Sequence, residues 1–143
     1  MFRHVLVPVD FGPCSVRAIA QTCELTRWSG GQVTLLHVLE QEGKETLAQQ
    51  QLTALGRWCR RPPSVLIVPA HAGVVATILR VAERLHADLL VLGAHGRHDP
   101  GRRALGRVTC GVLLSARTPV QISPQMTDPA AHPLERWHAV GRL

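Results

Sequence analysis

HVLVPVDFGP, residues 4–13, decides how this chain folds. Five β-branched or apolar residues after His4 end abruptly at Asp10, and a run with no exposed alternation reads as a strand buried on both faces. Pro8, near its end, implies that pairing stops there. Gly12-Pro13 then suits a helix start, because proline at a first-turn position loses no needed donor and presets the backbone. A doubly buried strand running straight into a helix is the opening of a parallel α/β sheet rather than of a hairpin.

The rest of the chain repeats the pattern. Ala18, Ile19, Thr22, Cys23 and Leu25 continue in helical rhythm until Ser29-Gly30-Gly31, and Gln32 to Val38 is a second buried strand. Thr46 to Arg60 is helical, with Leu47, Leu52 and Leu55 as the expected inner positions, and Pro62-Pro63 stops it. A third strand, Ser64 to Val68, leads past Gly73 into a strongly amphipathic helix with Val74, Val75, Ile78, Leu79, Ala82 and Leu85 inward. Asp88 to Leu92 is the fourth strand, Gly106 to Ala116 a short helix, and Pro119 to Ile122 the last strand. Strands alternating with helices over short connections require right-handed crossovers, which gives a doubly wound α/β domain with helices on both faces. In such sheets ligands bind beyond the carboxyl ends of the strands, so the loops after the first and fourth strands share one functional rim.

Composition bounds what that rim can do. The chain has 143 residues, 45% hydrophobic and 18% charged, which suits one globular core, and no apolar run reaches the ~18 residues of a membrane span. Asp10 interrupts the N-terminal apolar run and no small-residue cleavage site follows it, so a cytoplasmic location is expected. Fifteen arginines and one lysine, Lys44, give a net charge of +6, which favours anionic partners. Aromatics at 3%, with no tyrosine, leave few stacking platforms for single-stranded nucleic acid. Cys14, Cys23, Cys59 and Cys110 show neither a CxxC nor zinc-site spacing and read as free thiols. After Ser123, Pro124, Pro129 and Pro133 mark a change to a tail, residues 124–143, which reads as a mobile chain end or, with Leu134, Trp137 and Val140 along one side, as a short helix that docks on the body or on a second subunit.

The fourth strand runs into GAHGRHDPGRRALGRVTCG, residues 93–111. A strand ending in glycine, a loop and a helix start bring backbone N–H groups together where the helix dipole favours an anion. Gly93, Gly96 and Gly106 would allow close approach of a phosphate. Gly101 to Val108 has P-loop glycine spacing, but arginine stands in place of the lysine and valine in place of the Ser/Thr, and no strand precedes it. No GxGxxG occurs between a strand and a helix, which excludes a Rossmann dinucleotide site. Neither a catalytic triad nor a metal-ligand cluster is brought together by spacing, so enzymatic activity beyond slow ATP hydrolysis is not indicated.

The glycines fit G-x2-G-x9-G, the nucleotide-binding signature of the universal stress protein family, and the chain resembles that family over residues 2–123. HVLVPVDFGPCSVRAIA, VTLLHVLE, ADLLVLGAHGR and GRVTCGVLLSARTPVQI carry the resemblance in one order. It implies an adenine nucleotide alpha-hydrolase-like sheet of five parallel strands in the order 3-2-1-4-5, with ATP or another adenine nucleotide between strands 1 and 4, with or without Mg2+. By the same resemblance Pro8, Val9, Asp10 and Val38 would surround the adenosine, and Leu92, Gly93, Gly96, Arg97, Gly106, Arg107, Val108 and Thr109 would lie along the phosphates. A homodimer through the last strand and a role in the stress response are implied as well. Asp10 has a second reading from its position alone, as a cap for the following helix.

Arg107 departs from the pattern, which places Ser/Thr after the third glycine. Either its guanidinium replaces the hydroxyl as a forked phosphate ligand, or it fills the site and leaves a dimeric protein-interaction module that binds no nucleotide. Binding of nucleic acid through Arg57, Arg60, Arg61 and the loop arginines is a third reading, and sequence-specific recognition is not expected of it.

Overall fold

The computed structural model describes residues 2–96 and 105–124. Nine elements alternate: β1 (His4–Pro8), α1 (Pro13–Ser29), β2 (Gln32–Leu39), α2 (Glu45–Gly56), β3 (Ser64–Pro69), α3 (Val74–Arg84), β4 (Leu89–Gly93), α4 (Arg107–Ser115) and β5 (Val120–Ser123). The strands form one parallel sheet in the order β3-β2-β1-β4-β5. Strand order therefore reverses between β1 and β4, and the sheet opens a crevice there at its carboxyl end.

Residue parity in β1 builds both cores. Val5, Val7 and Val9 pack with Ala18 and Ile19 of α1 and Leu52 of α2, whereas Leu6 faces Ile78 of α3 and Val112 of α4. Each of these side chains is almost wholly buried, and burying one Val, Leu or Ile contributes about 1.5–3 kcal/mol.

Helix boundaries follow local chemistry. Pro13 opens α1, and Gly30, at φ 69°, closes it by donating its N–H to Thr26 O at 3.0 Å. Pairing of β1 stops at Pro8 as expected: its last partner on the β2 side is Leu36, whose O accepts Val9 N–H at 2.7 Å. Successive residues of a strand point their N–H groups to opposite neighbours, so the donor missing at Pro8 falls on the β4 side, where the crevice begins. Two expectations need correction. In α2, Leu47 is 54% exposed while Ala48 and Leu52 are buried, because the inward stripe runs 48, 52, 55 and 56, and the helix ends at Gly56 rather than Arg60. Cys23 and Cys59 are not free: they form a disulfide between α1 and the turn after α2, with Cα atoms 5.1 Å apart. Cys14 is free and buried, Cys110 free and exposed.

At the amino end of the sheet Asp88 ties β4 to the chain start. Its carboxylate accepts the N–H groups of Arg3 at 2.7 Å and His4 at 3.0 Å. Burial alone would raise this carboxyl; the backbone hydrogen bonds from Arg3, His4 and its own N–H, with the charge of His4, outweigh it and hold the pKa below the usual aspartate value. A depressed folded-state pKa contributes stability that is present above the unfolded value and lost as pH falls through the folded one. In urea titrations from neutral pH down to about 3, Asp88→Asn should therefore lose less stability than the parent below about pH 4.

No helix among the described residues is long and apolar enough to cross a membrane. The tail expected to carry Leu134, Trp137 and Val140 lies outside the described residues.

Candidate functional site

A cleft of 730 Å3 opens at the carboxyl ends of β1 and β4. Its walls include Pro8, Val9, Asp10, Val38, Leu92, Gly93, Gly96, Gly106, Arg107, Val108 and Thr109. Every residue expected at the site is thus in one cleft except Arg97, which lies outside the described residues.

The apolar end is built at the ends of β1 and β2, with Val9 buried on the α1 side of the sheet and Leu36 and Val38 buried with Ile78 of α3 on the other. At this end His37, which sequence reasoning missed, holds its ring by donating Nδ1–H to Val9 O at 2.7 Å and tilting against Phe11 at 4.7 Å. A carbonyl only accepts, so the proton is on Nδ1. Phe11 sits at φ 65°, a left-handed conformation that a side chain other than glycine resists. Asp10 braces that turn: Oδ1 accepts Gly12 N–H at 2.8 Å and the Ser15 hydroxyl at 2.6 Å, while Ser15 Oγ accepts Asp10 N–H at 3.1 Å. The N-cap of α1 is Gly12, with no side-chain cap, so the capping role read from the position of Asp10 is replaced by this bracing of the turn, and the carboxylate also lines the cleft.

The opposite end is built by the β4–α4 connection. Ala94 N–H donates to Ser123 O at 2.8 Å, and Gly106 N–H donates to Ala94 O at 2.9 Å, which brings the two ends of the loop together. Cys110 N–H, bonded to Gly106 O, is the first intrahelical donor of α4. The N–H groups of Arg107, Val108 and Thr109 have no acceptor among the described residues, and no side chain caps the helix. Uncapped donors at a helix N-terminus are an anion site by geometry and by dipole. Arg107 adds a guanidinium to that end, and Lys44, at the start of α2, lines the same cleft.

The three glycines do different jobs. A Cβ on Gly93 would stand 2.6 Å from Cys14 Cβ and 2.8 Å from its carbonyl carbon, so this glycine makes room for α1 rather than for a ligand. A Cβ on Gly106 would meet Gly96 N at 3.2 Å, so Gly106 lets the loop close. Gly96 alone of the three has room for a Cβ, which would meet Asp10 Oδ2 at an ordinary contact distance of 3.6 Å. Thr109 also departs from expectation. Its hydroxyl is buried and donates to Gly93 O at 2.8 Å, which anchors α4 to β4 and leaves only its backbone N–H for a ligand. His95, which as a loop residue beside the glycines reads as solvated or as able to reach a phosphate when protonated, lines the cleft, and its buried Nδ1 has no hydrogen-bond partner among the described residues. Its neighbour His98 lies outside the described residues. Among the described residues no three His, Cys, Asp or Glu side chains converge as a metal site.

Comparison with known proteins agrees with this geometry. The model of the universal stress protein family matches residues 1–61 and 48–124. Universal stress protein A homolog 1 of Coxiella burnetii is 26% identical over 136 residues, spanning 78% of this chain and 94% of that protein. A crystal structure of a universal stress protein in complex with cAMP superimposes with TM-score 0.70 at 20% identity, over 87% of this chain and 98% of that one. The universal stress protein from Archaeoglobus fulgidus in complex with dAMP gives 0.67 at 19% identity, over 85% and 97%. Both likenesses are of fold, a parallel sheet that here has the order β3-β2-β1-β4-β5.

Proposed function

The chain belongs to the universal stress protein family, and from that premise we propose that it binds an adenine nucleotide, ATP or a relative of it, in the β1/β4 cleft. Adenosine lies against Val9 and Val38, and the phosphates meet the N-terminus of α4. The observation that carries the reading is the set of uncapped N–H groups at Arg107, Val108 and Thr109, facing a cleft whose other end is apolar. Structures with cAMP and dAMP show that relatives of this fold take adenine nucleotides. Arg107 serves as a phosphate ligand: a cation at a helix N-terminus is unfavourable on its own and becomes favourable when an anion sits beside it. Any Mg2+ arrives with the triphosphate, and Asp10 and Glu40 are carboxylates lining the same cleft. Isothermal calorimetry of nucleotide-free protein with ATP, ADP and AMP at low salt tests this, and absence of heat with all three would overturn it.

The protein acts in this proposal as a cytoplasmic regulator of the stress response that passes its nucleotide state to partners as a homodimer. Among the described residues β5 pairs with β4 alone, which offers its outer edge to a second β5. Leu113 of α4, 41% exposed, lies two residues and so about 200° around the helix from Gly111, which abuts Val75 of α3. It therefore faces away from α3, toward the open side of the sheet. Light scattering at micromolar concentration should return twice the chain mass, and Leu113→Lys should return the monomer.

A further inference from the structure

Far from the nucleotide cleft, at the amino end of the strands, a second cavity of 530 Å3 opens between the end of α2 and the start of β3. Cys59 forms part of its wall, with Arg57 and Arg60 beside it and Gln49 and Thr53 from α2. Cys23, the disulfide partner of Cys59, does not line the cavity and comes from α1. Of the two cysteines of the disulfide, Cys59 thus lines a pocket while Cys23 stands on a neighbouring helix. Neither Arg57 nor Arg60 is ion-paired among the described residues, where the ion pair formed is Arg27 with Glu24.

We propose that Cys59 is a thiol-exchange site whose cavity takes an anionic low-molecular-weight thiol, a small peptide thiol carrying carboxylates. The incoming thiolate attacks Cys59 Sγ from the cavity. A new S–S bond forms between them, the bond to Cys23 breaks, and Cys23 Sγ leaves as a thiolate on the α1 side and takes a proton from water. The incoming thiol is oxidised to the mixed disulfide as Cys23 is reduced, so no outside oxidant is needed. The two guanidiniums concentrate carboxylate-bearing thiols at the pocket and favour the thiolate there. Exchange also releases a link that spans 36 residues of sequence and fixes the far end of α2, the helix whose other end brings Lys44 to the nucleotide cleft.

Oxidised full-length protein, incubated without oxygen with reduced glutathione, 2-mercaptoethanol or cysteamine at matched thiolate concentration, acid-quenched early and peptide-mapped by mass spectrometry, tests the assignment. The expected product carries glutathione on Cys59 and a free thiol at Cys23, and forms about tenfold faster than the cysteamine adduct at low salt. That preference should vanish at about 1 M salt, where charges are screened within a few ångströms, and in an Arg57→Gln, Arg60→Gln double variant that keeps the disulfide. A reduced thiol cannot join a free thiol without an oxidant, so Cys14 and Cys110 remain unmodified as internal controls. Four free thiols before any addition, an adduct on Cys23, or equal rates for the three reagents would each overturn the proposal.

Discussion

Gly93→Ala should destabilise the protein by about 3 kcal/mol or more, whereas Gly96→Ala, three residues on, should change stability by less than about 0.5 kcal/mol. The two glycines belong to one motif and look equivalent in sequence. The new Cβ at position 93 would press on Cys14 Cβ at 2.6 Å, Cys14 C at 2.8 Å and Ser15 N at 3.0 Å. Two of those three atoms are backbone of the first turn of α1, which no rotamer change can move aside. At position 96 the nearest atom is a carboxylate oxygen at ordinary contact distance. Urea denaturation midpoints at neutral pH measure the difference; similar midpoints for the two variants would contradict the packing. Because Ser15 also braces Asp10, Gly93→Ala should disturb the cleft along with the core.

Arg107→Glu should move stability and binding in opposite directions. A carboxylate at the first turn of α4 interacts favourably with the helix dipole, so the nucleotide-free protein should gain about 0.3–1 kcal/mol. The same carboxylate replaces a forked cation beside the phosphates with a like charge. Losing a charged hydrogen bond alone costs about 1.5–3 kcal/mol, so ATP affinity should fall by at least about tenfold to a hundredfold. Arg107→Ser restores the motif hydroxyl without the charge and should weaken ATP binding by about tenfold. Thermal melts with and without ATP, together with calorimetry, separate the two effects. A variant that binds ATP as tightly as the parent would show that Arg107 is not a ligand.

The elements and their order were legible because each rests on local chemistry. Doubly buried strands lack alternation, Pro13 opens a helix, Gly30 closes one, and the stripe from Val74 to Leu85 repeats at helical spacing. Strand order and most of the cleft came from the family resemblance, through motif residues at the strand ends. His37, Ser15 and Lys44 were missed, since each reaches the cleft through an element whose neighbours are set by the sheet. Leu47 misled because hydrophobicity was weighed before phase: Ala48 lies on the inward stripe and Leu47 beside it.

The sequence by itself determined a parallel α/β sheet, the rim on which its functional loops meet and the anion-seeking start of α4, because propensity, periodicity and turn chemistry act over a few residues. Only the tertiary structure decided that Gly93 serves α1, that the Thr109 hydroxyl anchors α4 to β4, and that Cys23 finds Cys59 across 36 residues. Each of those depends on which surfaces meet when α1 and α2 pack on one face of the sheet and α4 on the other, and no local spacing encodes that meeting.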